Sequence, residues 1–380
     1  MTAATDEERL ARAALNLVSE PGDPRVARLV AALGAVEVHD RLLADTDLEG
    51  LRSDAAERLA GVAPGRVLDD ARRRGIRFVV PGDDEWPEQL ADLDLVEPLN
   101  RLAGAPLGLW LRGPLRLRDA CETAVAVVGS RSATTYGTDV AADLSARLAR
   151  HRVTVVSGAA FGIDYAAHRG AIGGGGPTVA VLACGVDRAY PTAHRALLDH
   201  LAEVGLVVSE LPPGCSPTRV RFLGRNRLIA ALSTGTVVVE AAVRSGALNT
   251  ATWATRLNRL LMGVPGPATS APSEGVHELV RSGAASLVTR GEHVLELVAP
   301  VGEQLFPVQR APVRPRDLLA HDELRVLDAV PLVRPAPTTA VARTAGLSVG
   351  TVTASLERLR AAGWVDGAEG RWRRSGRRLD

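Results

Sequence analysis

The sequence predicts an α/β fold in which a doubly wound parallel sheet is covered by helices on both faces. Short apolar runs alternate regularly with helical stretches between residues 124 and 298. The runs are continuously hydrophobic, as parallel strands buried on both faces are, and turns rich in small residues follow several of them. Strands that alternate with helices in this way predict a Rossmann-like domain, in which ligands bind along the carboxyl ends of the strands.

The predicted elements follow one another along the chain. The strands are residues 124–128, 153–156, 178–183, 206–208, 236–239 and 260–264. The helices between and after them lie near residues 138–150, 164–172, 192–203, 225–232, 247–257 and 274–281. Upstream of this alternation, residues 77–80 and 109–111 are predicted as two short strands.

Different patterns flank this central domain, which covers residues 76–298. Residues 1–75 keep a helical spacing of apolar side chains and predict a small helical domain of the SAM or helix-hairpin-helix kind. Four prolines within residues 299–316 predict a linker. Residues 317–380 predict a winged helix, since three helices precede a segment, 363–372, that has the glycines and aromatics of a β-hairpin.

The sequence indicates the functions of the two flanking regions less specifically. We interpret the N-terminal helices as a packing or interaction module rather than a DNA contact, because they are as acidic as they are basic. Winged helices bind duplex DNA in some proteins and dock onto other proteins elsewhere, and the sequence leaves both roles open.

Composition limits the classes of function. The chain has 380 residues, is 46% hydrophobic and carries a net charge of +1, and all 45 of its basic residues are arginines. Such a balance excludes a uniformly cationic surface, so that a nucleic-acid site must be a local patch. The three cysteines are widely spaced, which predicts reduced thiols. Because no signal peptide or apolar run of roughly 20 residues is present, we expect a cytoplasmic protein without a membrane span.

The most informative candidate site is the Gly-Ser-Arg turn at residues 129–131, directly after the strand at 124–128. Backbone N–H groups at such a turn bind anions, and the arginine adds a charged fork that suits phosphate. The second and third glycines of a dinucleotide motif are missing, which leaves a mononucleotide, a cofactor or a nucleic-acid backbone as the ligand. Other candidate segments reach the same predicted sheet edge at residues 157–164, 222–227 and 240–250.

Each candidate also has a structural interpretation. Asp164 is typical of a helix N-cap and His168 of helix packing, and structural ion pairs are the alternative for Arg225 and Arg227. Walker A, HExxH and GxSxG motifs are absent, and the carboxylates Asp164 and Glu240 have no evident catalytic partner. Arginine, asparagine and phenylalanine at one edge favour binding of single-stranded nucleic acid over catalysis.

Seven ordered motifs resemble the DNA-processing protein A (DprA or Smf) family. The resemblance covers residues 80–298 strongly, and both flanks agree with it. The motifs are VAVVGSR, VSGAAFGIDYAAH, TVAVLACGVDRAYP, GLVVSELPPG, FLGRNRLIAALS, VVVEAAVRSGALNTA and VPGPATSAPSEGVHELVRSGA.

This resemblance implies a dimeric, extended Rossmann-like protein that binds single-stranded DNA and loads the RecA recombinase onto it during natural transformation. It implies neither catalysis nor a nucleotide cofactor. Residues 257–290, with His277 and Val280, match the region that the family uses to dimerise. The predicted DNA-binding residues are Gly129, Ser130, Arg131, Ser157, Gly158, Gly162, Arg219, Phe222, Arg225, Asn226, Arg227, Ser245 and Gly246.

Two departures from the family pattern affect this expectation. Leu223 replaces the proline of the family's FPxRNR segment, which bears on the position of Phe222. The segment that begins Tyr190-Pro191 lacks a basic residue found in some members, for which Arg188 or Arg195 could substitute.

Two other classes of function remain as alternatives. One is a nucleoside-monophosphate phosphoribohydrolase of the LOG-like relatives, whose PGGxGTxxE segment carries a catalytic glutamate. The corresponding stretch here, residues 233–240, ends in Glu240 but lacks the double-glycine loop. The other is a transcriptional regulator in which the winged helix would bind duplex DNA.

Overall fold

The computed structural model describes residues 4–44, 58–59, 61–300, 306 and 313–376. The chain divides into two units, residues 1–306 and 307–380, and each unit has its own hydrophobic core. Most of the predicted linker lies outside the described residues. Among those residues, no helix is long and apolar enough to cross a membrane.

One sheet forms the centre of the first unit. Its strands in the described part of the chain are β1 (Ile76–Val79), β2 (Leu109–Arg112), β3 (Ala124–Val128), β4 (Thr154–Ser157), β5 (Thr178–Leu182), β6 (Leu206–Ser209), β7 (Gly235–Val238), β8 (Leu260–Gly263) and β9 (Ser286–Leu287). They are arranged in the order β1-β2-β6-β5-β4-β3-β7-β8-β9. Strands β3 to β9 are parallel, whereas β2 is antiparallel to both of its neighbours. The predicted doubly wound parallel sheet is confirmed, with β1 and β2 extending one edge.

The chain reverses its direction of winding at β3. From this strand it moves to one side through β4, β5 and β6, and then crosses to the other side at β7. Ligands of open α/β sheets bind at such a switch point, outside the carboxyl ends of the two strands. Here Val128 and Val238 are aligned in register at those ends, so the turns that follow β3 and β7 begin at the same level.

Helices cover both faces of this sheet. Those described in the first unit are α1 (Asp6–Val18), α2 (Pro24–Leu33), α3 (Ala35–Leu43), α4 (Pro64–Arg73), α5 (Leu117–Glu122), α6 (Thr135–Arg150), α7 (Ile163–Gly173), α8 (Arg195–Val204), α9 (Arg219–Ala231), α10 (Ala247–Arg256), α11 (Glu274–Arg281) and α12 (Gly291–Val298). Val125 and Val127 of β3 pack on one face of the sheet, against α6 and α7. Ala126 and Val128 pack on the opposite face, against α9 and α10. Continuous hydrophobicity in this strand therefore reflects burial on both faces.

The N-terminal helices lie in the same unit as the sheet. The Asn16 side-chain amide on α1 donates to the Glu210 carbonyl (2.8 Å) and accepts from the Trp110 indole N–H (2.9 Å). Both bonds are buried, so they tie α1 to β2 and to the end of β6. Residues 1–75 thus share a compact unit with the sheet, although residues 45–57 lie outside the described part.

The second unit contains helices α13 (His321–Ala329), α14 (Thr338–Ala345) and α15 (Val349–Ala361) and strands β10 (Ala336–Pro337), β11 (Val365–Ala368) and β12 (Arg371–Arg374). Its small sheet has the order β10-β12-β11. Gly346 ends α14 in the left-handed conformation (φ 64°), and the Ser348 side chain then caps α15. This order of elements is the one expected for a winged helix.

Candidate nucleic-acid interface

A cleft of about 890 Å³ opens at the switch point, beyond the carboxyl ends of β3 and β7. Four arginines line it, namely Arg131, Arg219, Arg225 and Arg244. Among the described residues that line it, Asp164 is the single carboxylate. None of the four arginines has a carboxylate of the described residues within ion-pair distance. The cleft is therefore a local cationic site in a chain that is nearly neutral overall.

The Gly129-Ser130-Arg131 turn forms one wall of the cleft. The Ser130 backbone N–H donates to the Glu240 carbonyl (2.7 Å), which joins the ends of β3 and β7. The Arg131 side chain is exposed on this wall. The predicted turn residues thus lie together at the site.

Phe222 lies on α9 and meets two residues from other elements. The Arg131 guanidinium carbon is 4.6 Å from the Phe222 ring centroid, within the range of a cation–π contact. The Tyr190 ring centroid lies 5.6 Å from that of Phe222, and 44% of Tyr190 is exposed. These three side chains form an aromatic and cationic surface on which a planar base can stack.

Arg225 lies beneath this surface and is nearly buried, with 6% of the residue exposed. Its guanidinium covers Gly158 so closely that a Cβ there would lie 1.3 Å from Nη1, and only glycine therefore permits this approach. Nη1 donates to the Val181 carbonyl (3.0 Å), whereas the buried Nε has no hydrogen-bond partner. Burial lowers the pKa of Arg225, and the Asp164 carboxylate opposes that shift. A buried cation without an ion pair is strongly attracted to an anionic ligand.

Asp164 lies in the first turn of α7 and is not its N-cap, contrary to the N-cap interpretation; that position is taken by Gly162, without a side-chain cap bond. The Asp164 Oδ2 instead accepts from the backbone N–H groups of Gly158 (3.1 Å) and Ala160 (3.4 Å) in the loop before the helix. Burial raises the pKa of Asp164, while Arg225 and these two hydrogen bonds counteract the shift. The carboxylate orders the loop next to the cleft but does not pair with the arginines.

The predicted residues Ser157 and Gly162 support the site from outside the cleft lining. The buried Ser157 hydroxyl donates to the Val127 carbonyl (2.7 Å), which ties β4 to β3. Gly162 has a φ of 75°, and a Cβ there would lie 2.3 Å from the Ser130 carbonyl oxygen. Gly162 thus allows the loop before α7 to pack against the Gly-Ser-Arg turn.

The N-terminus of α10 forms the opposite wall. Ser245 and Gly246 line the cleft there, as does Asn226 of α9. The Asn226 side-chain amide donates to the Gly246 carbonyl (3.3 Å) and to Asn249 Oδ1 (3.2 Å). Asn226 therefore fixes the position of this wall through contacts within the protein.

Arg227 is placed elsewhere, contrary to the prediction that it contacts DNA. Its side chain is fully buried and forms a two-bond ion pair with Glu210, both contacts measuring 2.6 Å. It also donates to the carbonyls of Gly104 and Gly224. Since it neither lines the cleft nor reaches solvent, we exclude Arg227 from the interface. The structural ion-pair interpretation applies to this residue and not to Arg225.

Arg219 and Arg221 occupy the first turn of α9, where the helix dipole disfavours positive charge. Arg221 is compensated by a two-bond pair with Glu20 (2.9 and 2.6 Å). Arg219 is exposed on the cleft without such a pair. Tyr190 and Arg244 also line the cleft but were not among the predicted site residues. The sequence could have indicated Arg244, because this residue lies in the same loop after β7 as the predicted residues Ser245 and Gly246.

Glu240 and His168 both have structural roles. The Glu240 carboxylate accepts from the Thr134 backbone N–H (2.9 Å) and hydroxyl (2.5 Å) and lies outside the cleft lining. His168 is fully buried, and its Nδ1 hydrogen-bonds to Thr178 Oγ1 (2.8 Å). Burial lowers the pKa of His168 to about 3, with Arg225 adding to the shift, so the ring is neutral.

The predicted dimerisation residues lie on α11, away from the cleft. His277 Nε2 contacts the Gly266 backbone, and Val280 packs against the core of the first unit. Both residues are half-buried. The neighbouring edge strand β9 exposes the apolar side chain of Leu287.

Comparisons with known proteins agree with the seven motifs. The model of the DNA recombination-mediator protein A family matches residues 77–299. A putative DNA processing protein DprA of Mycobacterium tuberculosis is 44% identical over 370 residues, which cover 97% of this chain and 95% of the relative. Protein Smf of Escherichia coli is 36% identical over 77% of this chain and 76% of the relative.

A solved structure extends this similarity to the fold. The X-ray structure of DNA processing protein A from Streptococcus pneumoniae is 29% identical and superimposes with a TM-score of 0.64. The match covers 79% of this chain and 100% of that structure. Both the length of the matches and the family model lead to one assignment: the chain belongs to the DNA recombination-mediator protein A family of DNA-processing proteins.

Proposed function

We propose that this protein binds single-stranded DNA in the cleft and loads the RecA recombinase onto it during natural transformation. The observation that carries the first part is Arg225, a buried guanidinium on the cleft that has no ion-pair partner among the described residues. A phosphate of the strand would supply the missing negative charge. Arg131, Arg219 and Arg244 would hold neighbouring phosphates along the same path.

The site favours a single strand over a duplex. The exposed Tyr190 ring and the half-buried Phe222 ring beside it can stack on unpaired bases, which a duplex keeps within its own stack. Asn226 already uses its side-chain amide within the protein, so it is not free to read base edges from that group. We therefore expect binding with little sequence preference.

Salt dependence tests this proposal. In a fluorescence anisotropy titration with oligo-dT, log K should fall by roughly 0.7 per neutralised phosphate for each log unit of salt. Arg131→Ala should weaken binding and reduce that slope by about 0.7. Arg72→Ala is the matched control, because it removes an exposed arginine from α4, where it pairs with Asp69 instead of facing the cleft. Equal binding by wild type and Arg131→Ala would contradict the assigned cleft.

The RecA step is supported by membership of a recombination-mediator family. A pull-down of the full chain with RecA, with and without single-stranded DNA, tests it directly. We expect RecA to be retained and to form filaments faster on DNA that carries the protein. No retention of RecA under either condition would overturn this part alone.

A homodimer through α11 and β9 is the remaining part of the proposal. It is supported by the half-buried His277 and Val280 and by the exposed Leu287 at the sheet edge. Sedimentation equilibrium of the wild type should give the mass of a dimer. Leu287→Arg should shift it towards the monomer, because an apolar contact would be replaced by two like charges.

A further inference from the structure

A second aromatic cluster lies beside the cleft. Phe161, in the loop before α7, contacts His194 edge-on, with ring centroids 4.7 Å apart. Tyr165 of α7 lies against the same histidine, with a centroid separation of 4.5 Å and an angle of 30°. His194 is buried, whereas 48% of Phe161 is exposed. The cluster therefore presents one supported aromatic ring to solvent.

The loop around Phe161 is held in a defined conformation. Ala159 has a φ of 51° and Gly162 a φ of 75°, so two residues in the left-handed region flank the turn that carries Phe161. Alanine adopts this region only at an energetic cost, because its Cβ comes too close to the following carbonyl oxygen. His194 Nδ1 lies 3.0 Å from the Ala159 carbonyl oxygen and fixes the strained residue. Such strain is retained at binding sites more often than elsewhere, because the surrounding contacts must enforce it.

This cluster continues the surface of the cleft. Ala160, which precedes Phe161, is part of the cleft lining, and so is Tyr190, four residues before His194. Tyr190 in turn contacts Phe222. A strand that stacks on Phe222 and Tyr190 can thus pass towards Phe161 without leaving the protein surface.

The charges near the cluster also suit a nucleic-acid strand. The Arg169 guanidinium lies over the Tyr165 ring, 5.9 Å from its centroid. Arg169 and Arg195 are exposed, and neither has a carboxylate of the described residues within ion-pair distance. Exposed aromatic rings between unpaired arginines are typical of surfaces that bind single strands.

We infer that Phe161, supported by His194 and Tyr165, is a second base-stacking subsite for a DNA strand that extends beyond the cleft. The inference rests on the proposed function, since the same strand fills both places. Arg169 and Arg195 would contact the phosphates on either side of the stacked base.

Oligonucleotides of two lengths separate this subsite from the cleft. The short oligo-dT is the shortest oligomer whose binding shows the full loss of affinity in Arg131→Ala. The long oligomer extends it by several nucleotides. Phe161→Ala should weaken binding of the long oligomer roughly fivefold or more, the effect of losing one base stack. It should leave binding of the short oligomer unchanged. Thermal melting checks that the variant folds, which we expect because the side chain is half exposed.

Two matched variants test the ring itself. Phe161→Trp should restore tight binding of the long oligomer, whereas Phe161→Leu, which stays apolar without a ring, should behave as Phe161→Ala. An oligomer with 5-iododeoxyuridine beyond the cleft should cross-link to Phe161 on irradiation.

The outcomes distinguish the two proposals. If wild type binds neither oligomer, the proposed function itself fails. If Arg131→Ala weakens both oligomers but Phe161→Ala changes neither, the subsite is wrong and the cleft stands. Full binding of the long oligomer by Phe161→Leu would also overturn the subsite, since it would show an apolar contact without stacking.

Discussion

The Arg131 guanidinium lies 4.6 Å from the centroid of the Phe222 ring, which joins the turn after β3 to the first turns of α9. The contact orients Phe222 from one side while Tyr190 meets the ring at a 49° tilt. Leu223, which stands where the family pattern has proline, packs against the core. The position of Phe222 is thus set by its aromatic and cationic neighbours, and the departure at residue 223 does not prevent it.

This pair should act as one unit in DNA binding. Phe222→Ala should cost roughly 1–3 kcal/mol of binding free energy to oligo-dT, the effect of losing a base stack. Phe222→Tyr is the control that keeps the ring. Because Arg131 and Phe222 are in contact, the double variant Arg131→Ala/Phe222→Ala should lose about 0.5–1 kcal/mol less than the sum of the single variants. Strict additivity in anisotropy titrations would show that the contact does not contribute.

Substitution of Arg225 should mainly weaken DNA binding, whereas substitution of Arg227 should mainly reduce stability. Arg227→Met leaves Glu210 buried without its partner and should lower the free energy of unfolding by roughly 3–5 kcal/mol. Arg225→Met breaks no ion pair, so it should cost much less stability while it abolishes most DNA binding. Urea denaturation and anisotropy on both variants check this. The reverse pattern, a stable Arg227→Met and an unfolded Arg225→Met, would contradict the two assignments.

These two arginines also show where sequence reasoning reaches its limit. Both belong to one short motif, and the sequence placed both on the DNA. Two residues apart in a helix, their side chains point about 200° apart around the axis, because one turn takes 3.6 residues. Only the partners in space, Val181 for one and Glu210 for the other, decide which of them reaches the cleft.

The fold itself was accessible from the sequence because its strands are buried on both faces. Continuous apolar runs made β3 to β8 visible, whereas the order of the strands in the sheet, and with it the switch point, came only from the structure. The edge strand β9 has only two residues, both exposed, and therefore carries no hydrophobic signal. The site residues Tyr190 and Arg244 lie in loops, where no periodicity reports which side chains face the cleft.

His168 should make the fold sensitive to acid. Its pKa is lowered from 6.5 to about 3 by burial, so between these values the unfolded chain binds a proton that the folded protein does not. The free energy of unfolding should therefore fall as the pH decreases from 6.5 towards 3, by up to about 1.4 kcal/mol per pH unit from this group. In His168→Asn, the side-chain amide can still donate a hydrogen bond to Thr178, but it does not bind a proton in this pH range. Its unfolding free energy should show a shallower pH dependence than wild type in urea titrations, and parallel curves would rule out the effect.

Glu240 should contribute to stability and not to catalysis. Both of its carboxylate oxygens accept hydrogen bonds from Thr134 at the start of α6, and it lies outside the cleft lining. Glu240→Gln weakens the hydrogen bonds that hold Thr134, the N-cap of α6, and should lower the free energy of unfolding by about 1 kcal/mol, the usual net contribution of a hydrogen bond. Binding of oligo-dT should remain close to that of the wild type.

The same variant tests the phosphoribohydrolase alternative. Incubated with AMP and followed by chromatography, neither wild type nor Glu240→Gln should release adenine, because a carboxylate bound twice by Thr134 is not available to a substrate in the cleft. Adenine release by the wild type that disappears in Glu240→Gln would instead identify Glu240 as a catalytic group. In that case the cap would have to open on substrate binding, and the stability loss in Glu240→Gln would be smaller with AMP present than without it.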